Sequence, residues 1–263
     1  MITSFRNPHV QAARKLVKRG VRDAKRRFLV EGAIGVGEAI SRGARLASLI
    51  VDPSKEGFEE QVRAARQRKV PVLEVSRAIM GAISGATTPP GIMAVAEFLD
   101  LPPEILLDRP IGLVVVLAGV RDPGNAGTII RSACAVGVDA VFVGAETVDL
   151  YNPKLIRATA GAVFHVPIAR NVAVPWLLTE LGKRQIKRLA ADPKGETVYD
   201  QVDMSGRVAF ILGNEAWGVT PEIAGAVDAR VAIPMKGGQE SLNVGMAASV
   251  LLFEAARQRR TVA

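Results

Sequence analysis

An almost purely aliphatic run at residues 111–118, reading IGLVVVLA, limits the folds open to the second half of this chain. Such a run has no polar face, which is typical of a parallel strand covered on both sides. Further strands are predicted at residues 140–143, 164–168, 187–191, 208–212 and 230–233, with helices between them, one at residues 128–136. The pattern therefore predicts an α/β fold with a mainly parallel sheet.

The first part of the chain has a separate and shorter pattern. Strand-like runs at residues 28–30, 46–51, 70–75 and 92–98 alternate with helical stretches at 31–42, 57–69 and 76–84, which predicts a small α/β sandwich. Residues 99–110 carry Pro102, Pro103 and Pro110 among acidic side chains, as in an extended connector. We therefore expect a domain at residues 1–98, a linker at 99–110 and a larger domain at 111–263.

Composition excludes several classes of protein. A chain of 263 residues with 49% hydrophobic content is that of a globular protein. No apolar run approaches the roughly 18 residues of a membrane helix, and residues 1–20 are basic and lack the apolar region of a signal peptide, so we expect a cytoplasmic location. Cys134 is the single cysteine, and His9 and His165 lie far apart, so neither a disulfide nor a metal site is expected.

The positive charge is concentrated in the first part. Residues 1–98 contain 17 Lys and Arg against 9 Asp and Glu, whereas residues 99–263 contain 17 of each, so the net charge of +8 lies wholly in the first part. Such a local excess is either a solvated helix face or the footprint of a phosphate backbone. The candidate RNA-binding residues are Arg14, Lys15, Lys18, Arg22, Lys25, Arg26 and Arg27.

Near the C-terminus a strand ending at Ile233 leads through a glycine-containing loop into an amphipathic helix. Glycines allow close approach of a backbone to a ligand, and Ser241 and Asn243 place polar groups at the helix N-terminus, where ligands often bind. The alternative is that these two residues only compete to cap the helix. Two other glycine-rich segments follow predicted strands, at residues 121–131 and 213–218.

In order, the three segments read RDPGNAGTIIR at 121–131, ILGNEAWG at 211–218 and IPMKGGQESLN at 233–243. Together they resemble the three motifs of the SpoU/TrmH branch of the SPOUT RNA methyltransferases, and the match covers residues 111–258. FLVEG at 28–32 and TPPGIMA at 88–94 are similar to the L30-like substrate-binding domain often attached to this branch. The resemblance implies a deep C-terminal trefoil knot, a homodimer and S-adenosylmethionine as cofactor.

The same resemblance implies the site residues. The family's catalytic positions fall on Asn125, Arg131, Glu215, Ser241 and Asn243. The positions that contact the cofactor fall on Leu212, Gly213, Asn214, Gly218, Ile233, Met235, Ser241 and Leu242. One departure is Gly245, where a serine is common, and it bears on local packing more than on activity.

The resemblance implies methylation of a ribose 2′-hydroxyl, in ribosomal RNA rather than transfer RNA. A protonated guanidinium accepts no proton, so we expect Arg131 to hold a phosphate and the ribose oxygen, with the proton leaving to water or a carboxylate. Glu215 is a candidate for that carboxylate, or else it orients its own loop. The alternatives are a transfer RNA ribose methyltransferase, a base methyltransferase and a non-catalytic RNA-binding or ribosome-assembly protein.

Overall fold

A computed structural model describes residues 1–85, 88–238 and 240–262. The Cα positions divide into two compact units. The first unit comprises Met1–Leu99 and Tyr151–His165, and the second comprises Asp100–Leu150 and Val166–Ala263. The segment 151–165 therefore belongs structurally to the first unit, although the chain reaches it from within the second. The predicted domain limits stay a prediction.

Helices and strands alternate through most of the described chain. The helices are α1 Pro8–Lys15, α2 Arg19–Lys25, α3 Ala33–Ser41, α4 Glu59–Gln67, α5 Arg77–Ser84, α6 Pro103–Leu107, α7 Pro123–Val136, α8 Pro153–Ala158, α9 Val174–Lys183, α10 Pro221–Gly225 and α11 Val244–Val262. The strands are β1 Arg27–Glu31, β2 Leu46–Val51, β3 Val72–Glu74, β4 Ile92–Glu97, β5 Leu113–Leu117, β6 Ala140–Gly144, β7 Ile168–Val172, β8 Lys187–Ala191, β9 Thr197–Val198, β10 Val208–Leu212 and β11 Ala229–Ala232.

The first unit contains a four-stranded sheet in the order β1-β4-β2-β3. β4 pairs antiparallel with β1 and β2, and β2 pairs parallel with β3. Segment 151–165 joins this unit through aromatic packing. The ring of Tyr151 stacks on Phe98 with 3.8 Å between centroids, and Phe28 contacts both Tyr151 and Phe164. These rings form an apolar cluster between residues far apart in the sequence, a pairing that no local pattern reveals.

The second unit contains a seven-stranded sheet in the order β7-β6-β5-β10-β8-β11-β9, and its strand pairs are parallel. β5 and β10 are buried at every position. The prediction of a mainly parallel α/β sheet is confirmed, because aliphatic strands without a polar face are stable only where both faces are covered. The trefoil knot stays a prediction.

Three local expectations differ from the structure. A strand was expected at 164–168, but residues Ala162–Phe164 form a 3-10 turn and β7 begins after Pro167, which has no N–H to donate to a ladder. α7 begins at Pro123, where the Asp122 side chain accepts the Asn125 N–H at 2.9 Å, and not at residue 128. Residues 99–110 are not extended throughout, because α6 buries its two final leucines in the core of the second unit.

α7 and α11 pack closely against each other, and this contact fixes the ends that carry the motifs. A Cβ at Gly245 would lie 3.3 Å from the Thr128 side chain and 3.1 Å from Asn243 Oδ1. One helical turn further, the Ser132 and Ser249 hydroxyls are 2.7 Å apart. The glycine at position 245 therefore suits the close approach of the two helices.

Candidate active site

The three motif segments of the second unit follow β5, β10 and β11, at the carboxyl end of each strand. Ligands of open parallel sheets bind at this edge. β5 and β10 are hydrogen-bonded neighbours in the sheet, which brings the segment after Leu117 and the segment after Leu212 to the same edge. The topology thus places polar side chains from distant positions next to one another.

Glu215 joins the first two motif segments. Its carboxylate accepts hydrogen bonds from the backbone N–H groups of Arg121 at 3.1 Å and Asp122 at 2.9 Å. It also accepts one from Asn125 Nδ2 at 3.0 Å. A single carboxylate therefore holds the chain that leads into α7, with its oxygens occupied by donors.

Asn125 and Asn243 connect the first and third segments. Asn243 Nδ2 donates to Asn125 Oδ1 at 2.9 Å. The side-chain oxygen of Asn243, Oδ1, accepts hydrogen bonds from the backbone N–H groups of Gly245 at 2.9 Å and Met246 at 3.3 Å. Asn243 thus caps α11 and is also a hydrogen-bond partner of Asn125, while its catalytic role stays a prediction.

Hydrogen bonding lowers the pKa of the Glu215 carboxyl group. Burial alone would raise the pKa of its carboxyl group, but the bonds donated by Asn125, Asp122 and Arg121 and by its own backbone lower the pKa below its ordinary value. Glu215 is therefore an ionised acceptor at neutral pH. A carboxylate of this kind holds a loop more readily than it takes up a proton.

The loop 213–218 is closed on itself. Asn214 and Gly218 exchange two backbone hydrogen bonds of 2.8 and 2.9 Å, and Asn214 Nδ2 donates to the Gly119 carbonyl at 3.0 Å. A Cβ at Gly213 would lie 2.3 Å from the Gly218 carbonyl carbon, and Gly218 itself has φ +72. Both glycines are required by the turn itself.

Arg131 and Ser241 are not part of this hydrogen-bonded network. Both are exposed, and neither has a hydrogen-bond or ion-pair partner within the part of the chain that the structure describes. Arg131 lies on α7, the helix that also carries Asn125, so its guanidinium is carried by a fixed element and stays open to a ligand. The geometry thus separates a hydrogen-bonded set, Asn125, Glu215 and Asn243, from two residues without a side-chain partner among the described residues.

The residues expected to contact the cofactor lie around the same strand ends. Leu212, Gly213 and Asn214 are buried, whereas Gly218, Ile233 and Met235 are half-buried. Leu242 exposes 38% of its surface. Residues 234–238 and 240–242 make no hydrogen bond with other described residues, so their backbone polar groups are free to bind a ligand.

A contact between Arg121 and Trp217 near the site was not predicted from the sequence. Arg121 donates its N–H to Glu215 and places its guanidinium 5.6 Å from the centre of the Trp217 ring. Trp217 exposes 62% of its surface. This is a cation–π contact between residues of two separate motifs. The only sequence signal for the contact is that each residue lies inside a motif.

Six of the seven basic residues expected to bind RNA are exposed on the first unit, namely Arg14, Lys15, Lys18, Lys25, Arg26 and Arg27. Arg22 is different. Its side chain is buried at 3% exposure, and its Nη1 donates to the carbonyls of Leu16 and Val17 at 2.7 Å, just beyond the end of α1. Arg22 therefore stabilises the α1–α2 turn and cannot reach a phosphate.

No cluster of three potential metal ligands occurs within residues 1–85, 88–238 and 240–262. In the same ranges, no helix combines the length and the apolar character that crossing a bilayer demands.

The chain belongs to the SpoU rRNA methylase family, whose model matches residues 112–253. It is therefore an RNA methyltransferase, and the expected family and enzyme class are confirmed. A second model, the MRM3-like substrate binding domain, matches residues 7–94, within the first unit.

Relatives with full-length similarity support this assignment. The chain is 31% identical to the 23S rRNA (guanosine(2553)-2′-O)-methyltransferase RlmP of Bacillus subtilis, over 96% of this chain and 97% of that protein. An AdoMet-bound rRNA methyltransferase from Sinorhizobium meliloti is 32% identical over 97% of each chain, with a TM-score of 0.84. The SpoU methyltransferase AviRb from Streptomyces viridochromogenes, in complex with AdoMet, has a TM-score of 0.88 at 27% identity, covering 97% of this chain and 99% of its own.

Proposed function

We propose that this methyltransferase transfers a methyl group from S-adenosylmethionine to a ribose 2′-hydroxyl of ribosomal RNA. The observation that carries the proposal is the chain of hydrogen bonds from Asn243 through Asn125 to Glu215 at the carboxyl edge of the parallel sheet. RlmP, which is similar over nearly its whole length, carries the same activity in its name. A protein that only bound RNA would have no need of such an ordered polar set.

S-adenosylmethionine is the methyl donor, as in the two AdoMet-bound relatives. When bound, it supplies an electrophilic methyl group on a sulfonium. The residues that would hold it are the free backbone at 234–238 and 240–242, the exposed side chain of Leu242 and the half-buried Ile233 and Met235. Gly213, Asn214 and Gly218 form the closed turn beside them, and the end of β10 at Leu212 supports that turn.

Arg131 is the residue that activates the acceptor. Its guanidinium is exposed and has no partner among the described residues, so it is available to grip the phosphate next to the target ribose. It cannot serve as a base at neutral pH because a guanidinium has no acceptor. Instead it stabilises the negative charge that develops on the 2′-oxygen as the proton departs.

Glu215 acts by positioning. Three donors from the first motif occupy its carboxylate, and the lowered pKa keeps it ionised. Of the two interpretations given for Glu215, orientation of the loops is the one we propose. The proton of the 2′-hydroxyl then leaves to water.

Asn125 and Asn243 fix the edge against which the ribose lies, and Ser241 presents a hydroxyl without a partner in the described residues. An in-line transfer requires the 2′-oxygen, the methyl group and the sulfonium to be aligned. Side chains held by hydrogen bonds lose little entropy when the ribose binds, which favours this alignment.

Ribosomal RNA is favoured over transfer RNA by the similarity to RlmP, a 23S rRNA methyltransferase, over 96% of this chain and thus over both units. Residues 7–94 match a substrate-binding domain model, and six exposed cations lie on and between α1, α2 and β1. Such a charged face binds the phosphate backbone without reading bases. Ribosomal RNA as substrate is consistent with the cytoplasmic location expected from the sequence.

We also propose that the protein is a homodimer. Met246 and Phe253, seven positions apart on α11, expose 57% and 54% of their surfaces, and Trp217 is exposed as well. Large apolar side chains in a row on one helix face are typical of a surface that another protein covers. Which subunit supplies Arg131 to each site is a question for mixed dimers of wild type and Arg131→Ala.

Methyl transfer in vitro tests the proposal. The protein is incubated with S-adenosylmethionine carrying a labelled methyl group and with separate ribosomal and transfer RNA fractions, and the RNA is digested to nucleosides. We expect label in one 2′-O-methylnucleoside from ribosomal RNA. Label in a base, label only in transfer RNA, or cofactor binding without transfer would each contradict it.

A further inference from the structure

The first unit contains a cavity of about 490 Å³ between α4 and the ends of β2 and β3. Its volume falls within the range of roughly 300–1,000 Å³ usual for small-molecule sites. From its lining we propose that it holds one unpaired nucleotide of the RNA substrate, with the base inside and the phosphate at the rim. The choice of RNA as the ligand rests on the proposed function.

The cavity contains a buried acceptor without a donor. Asp52 lines it and is 2% exposed. Its Oδ1 accepts the Ser54 N–H at 3.0 Å and the Ser54 hydroxyl at 2.7 Å, but its Oδ2 is buried without a partner among the described residues. A buried carboxylate oxygen that lacks a hydrogen bond is unfavourable. A ligand that brings an N–H group would satisfy it.

The walls next to Asp52 include apolar side chains. Phe58 at the N-cap of α4, Val62 on α4 and Val72 on β3 contribute them. The Phe58 ring lies close to the backbone at Gly91, where a Cβ would be 2.9 Å from it. An aromatic wall beside a hydrogen-bond acceptor is suited to a base, which stacks on one face and donates an N–H from its edge.

The rim carries charges of both signs. Arg63 and Arg66 are exposed and have no partner among the described residues, whereas Lys55 donates to the Pro89 carbonyl at 2.9 Å. Glu59 and Glu74 also line the cavity. These carboxylates would repel a ligand that carries negative charge at both ends. A ligand that suits the cavity therefore has a neutral hydrogen-bond donor at one end, for Asp52, and an anionic group at the other, for the two arginines. A nucleotide has both.

Nuclear magnetic resonance on the full chain tests this inference directly. Each of the four nucleoside 5′-monophosphates, the matching nucleosides, inorganic phosphate and a single-stranded RNA pentamer are titrated to about 10 mM. The amide signals of Asp52, Ser54, Phe58 and Val62 are followed. We expect these signals to shift with nucleotides, about tenfold more weakly with nucleosides, and not with inorganic phosphate alone. The RNA is expected to bind more tightly than any mononucleotide.

Three variants assign the contacts. Asp52→Asn keeps the oxygen that accepts from Ser54 but replaces the other by a donor, so the affinity for nucleotides is expected to fall about tenfold. The double variant Arg63→Ala/Arg66→Ala is expected to bind nucleotides no more tightly than nucleosides. Because both side chains are exposed, we expect the fold to stay intact. The control, Arg45→Ala with Arg77→Ala, removes two exposed arginines of the same unit that do not line the cavity and is expected to change neither.

No shift with any nucleotide or RNA, or equal shifts in wild type and the Arg63→Ala/Arg66→Ala variant, would overturn the inference. Tighter binding of a free mononucleotide than of the pentamer would overturn the assignment to RNA. A methyl-transfer assay on the same wild-type sample separates this from the proposed function. Normal ribose methylation without nucleotide shifts refutes the cavity alone, whereas nucleotide shifts without any ribose methylation refute the reaction and leave the cavity as a nucleotide site.

Discussion

The active-site edge of the second unit and the basic face of the first unit hold their polar groups in opposite ways. At the edge, Asn125, Glu215 and Asn243 are bound to one another across about a hundred residues of sequence. On the basic face, six cations are exposed and spread over three elements. In the proposed function, the first arrangement fixes atoms for a reaction, and the second provides an electrostatic field in which a polyanion can bind in several positions. Substitutions should therefore affect turnover at the edge and affinity at the face.

The largest effect is expected from Arg131→Ala, which removes the only group that we assign to charge stabilisation at the reacting oxygen. Loss of one such donor costs on the order of 10² to 10³ in kcat. Arg131→Lys keeps the charge but loses the two-pronged geometry and should recover only part of the rate. Single-turnover methyl transfer with saturating RNA measures both variants. Near-normal turnover of Arg131→Ala would remove this residue from the mechanism.

A smaller loss is expected from Asn125→Ala, which breaks both side-chain hydrogen bonds of the network without removing a charge. Misplacement of the ribose by such a change costs on the order of 10² in rate. The KM for RNA should stay close to that of wild type, since affinity resides in the other unit. Steady-state kinetics separates kcat from KM. A raised KM with an unchanged kcat would show that the edge binds RNA instead of aligning it.

At the basic face, replacing Lys25, Arg26 and Arg27 by glutamine should raise the KM for RNA about tenfold and leave kcat unchanged. The slope of log K against log salt should become shallower by about 2, since each lost phosphate contact removes about 0.7 on single strands. Titrations at several salt concentrations measure the slope. An unchanged slope would exclude this face.

Arg22→Met is the matched control for that experiment, since it removes a charge from the same segment. Its guanidinium is bound to the carbonyls of Leu16 and Val17, so the expected effect is a loss of about 1–3 kcal/mol in the free energy of unfolding. The salt slope should not change. Denaturant unfolding and the same titrations distinguish the two outcomes.

The smallest expected effect is on the pH dependence of stability, through Glu254 on α11. Hydrogen bonds from Arg257 and Gln258 lower the pKa of Glu254 from 4.5 to about 2. A carboxyl group with a depressed pKa contributes stability that is present above pH 4.5 and is lost as the pH falls toward 2. Glu254→Gln should flatten the pH dependence of unfolding in this window by a few tenths of a kcal/mol, about the size of an exposed pair. An unchanged dependence would contradict the assignment.

The two units also differ in how much of them the sequence predicts. The buried strands β5 and β10 were predicted because an aliphatic run without polar residues indicates a strand that is covered on both faces. The start of α7 was placed five residues late, since Gly124, Asn125 and Gly127 are weak helix formers and the Asp122 cap outweighs them. The packing of Tyr151 and Phe164 on Phe28, which places segment 151–165 in the first unit, is a long-range contact that no local sequence pattern indicates.

For the site, residue types alone indicated only a polar loop at a helix start. The set of Asn125, Glu215 and Asn243 came from the resemblance to a family, and the structure added which of them touch. The burial of Arg22 could not be foreseen, since a run of cations carries no sign of which one faces inward. The contact between Arg121 and Trp217 could likewise be recognised only from the structure.

The most direct test of the account is a map of 2′-O-methyl groups in ribosomal RNA from cells that lack the gene and carry either the wild type or Arg131→Ala. Ribose methylation protects the adjacent phosphodiester from alkaline cleavage, so each site is read at single-nucleotide resolution. The account predicts one protected ribosomal nucleotide that wild type restores and Arg131→Ala does not. Equal restoration by both proteins, or a map that is the same without the gene, would contradict it.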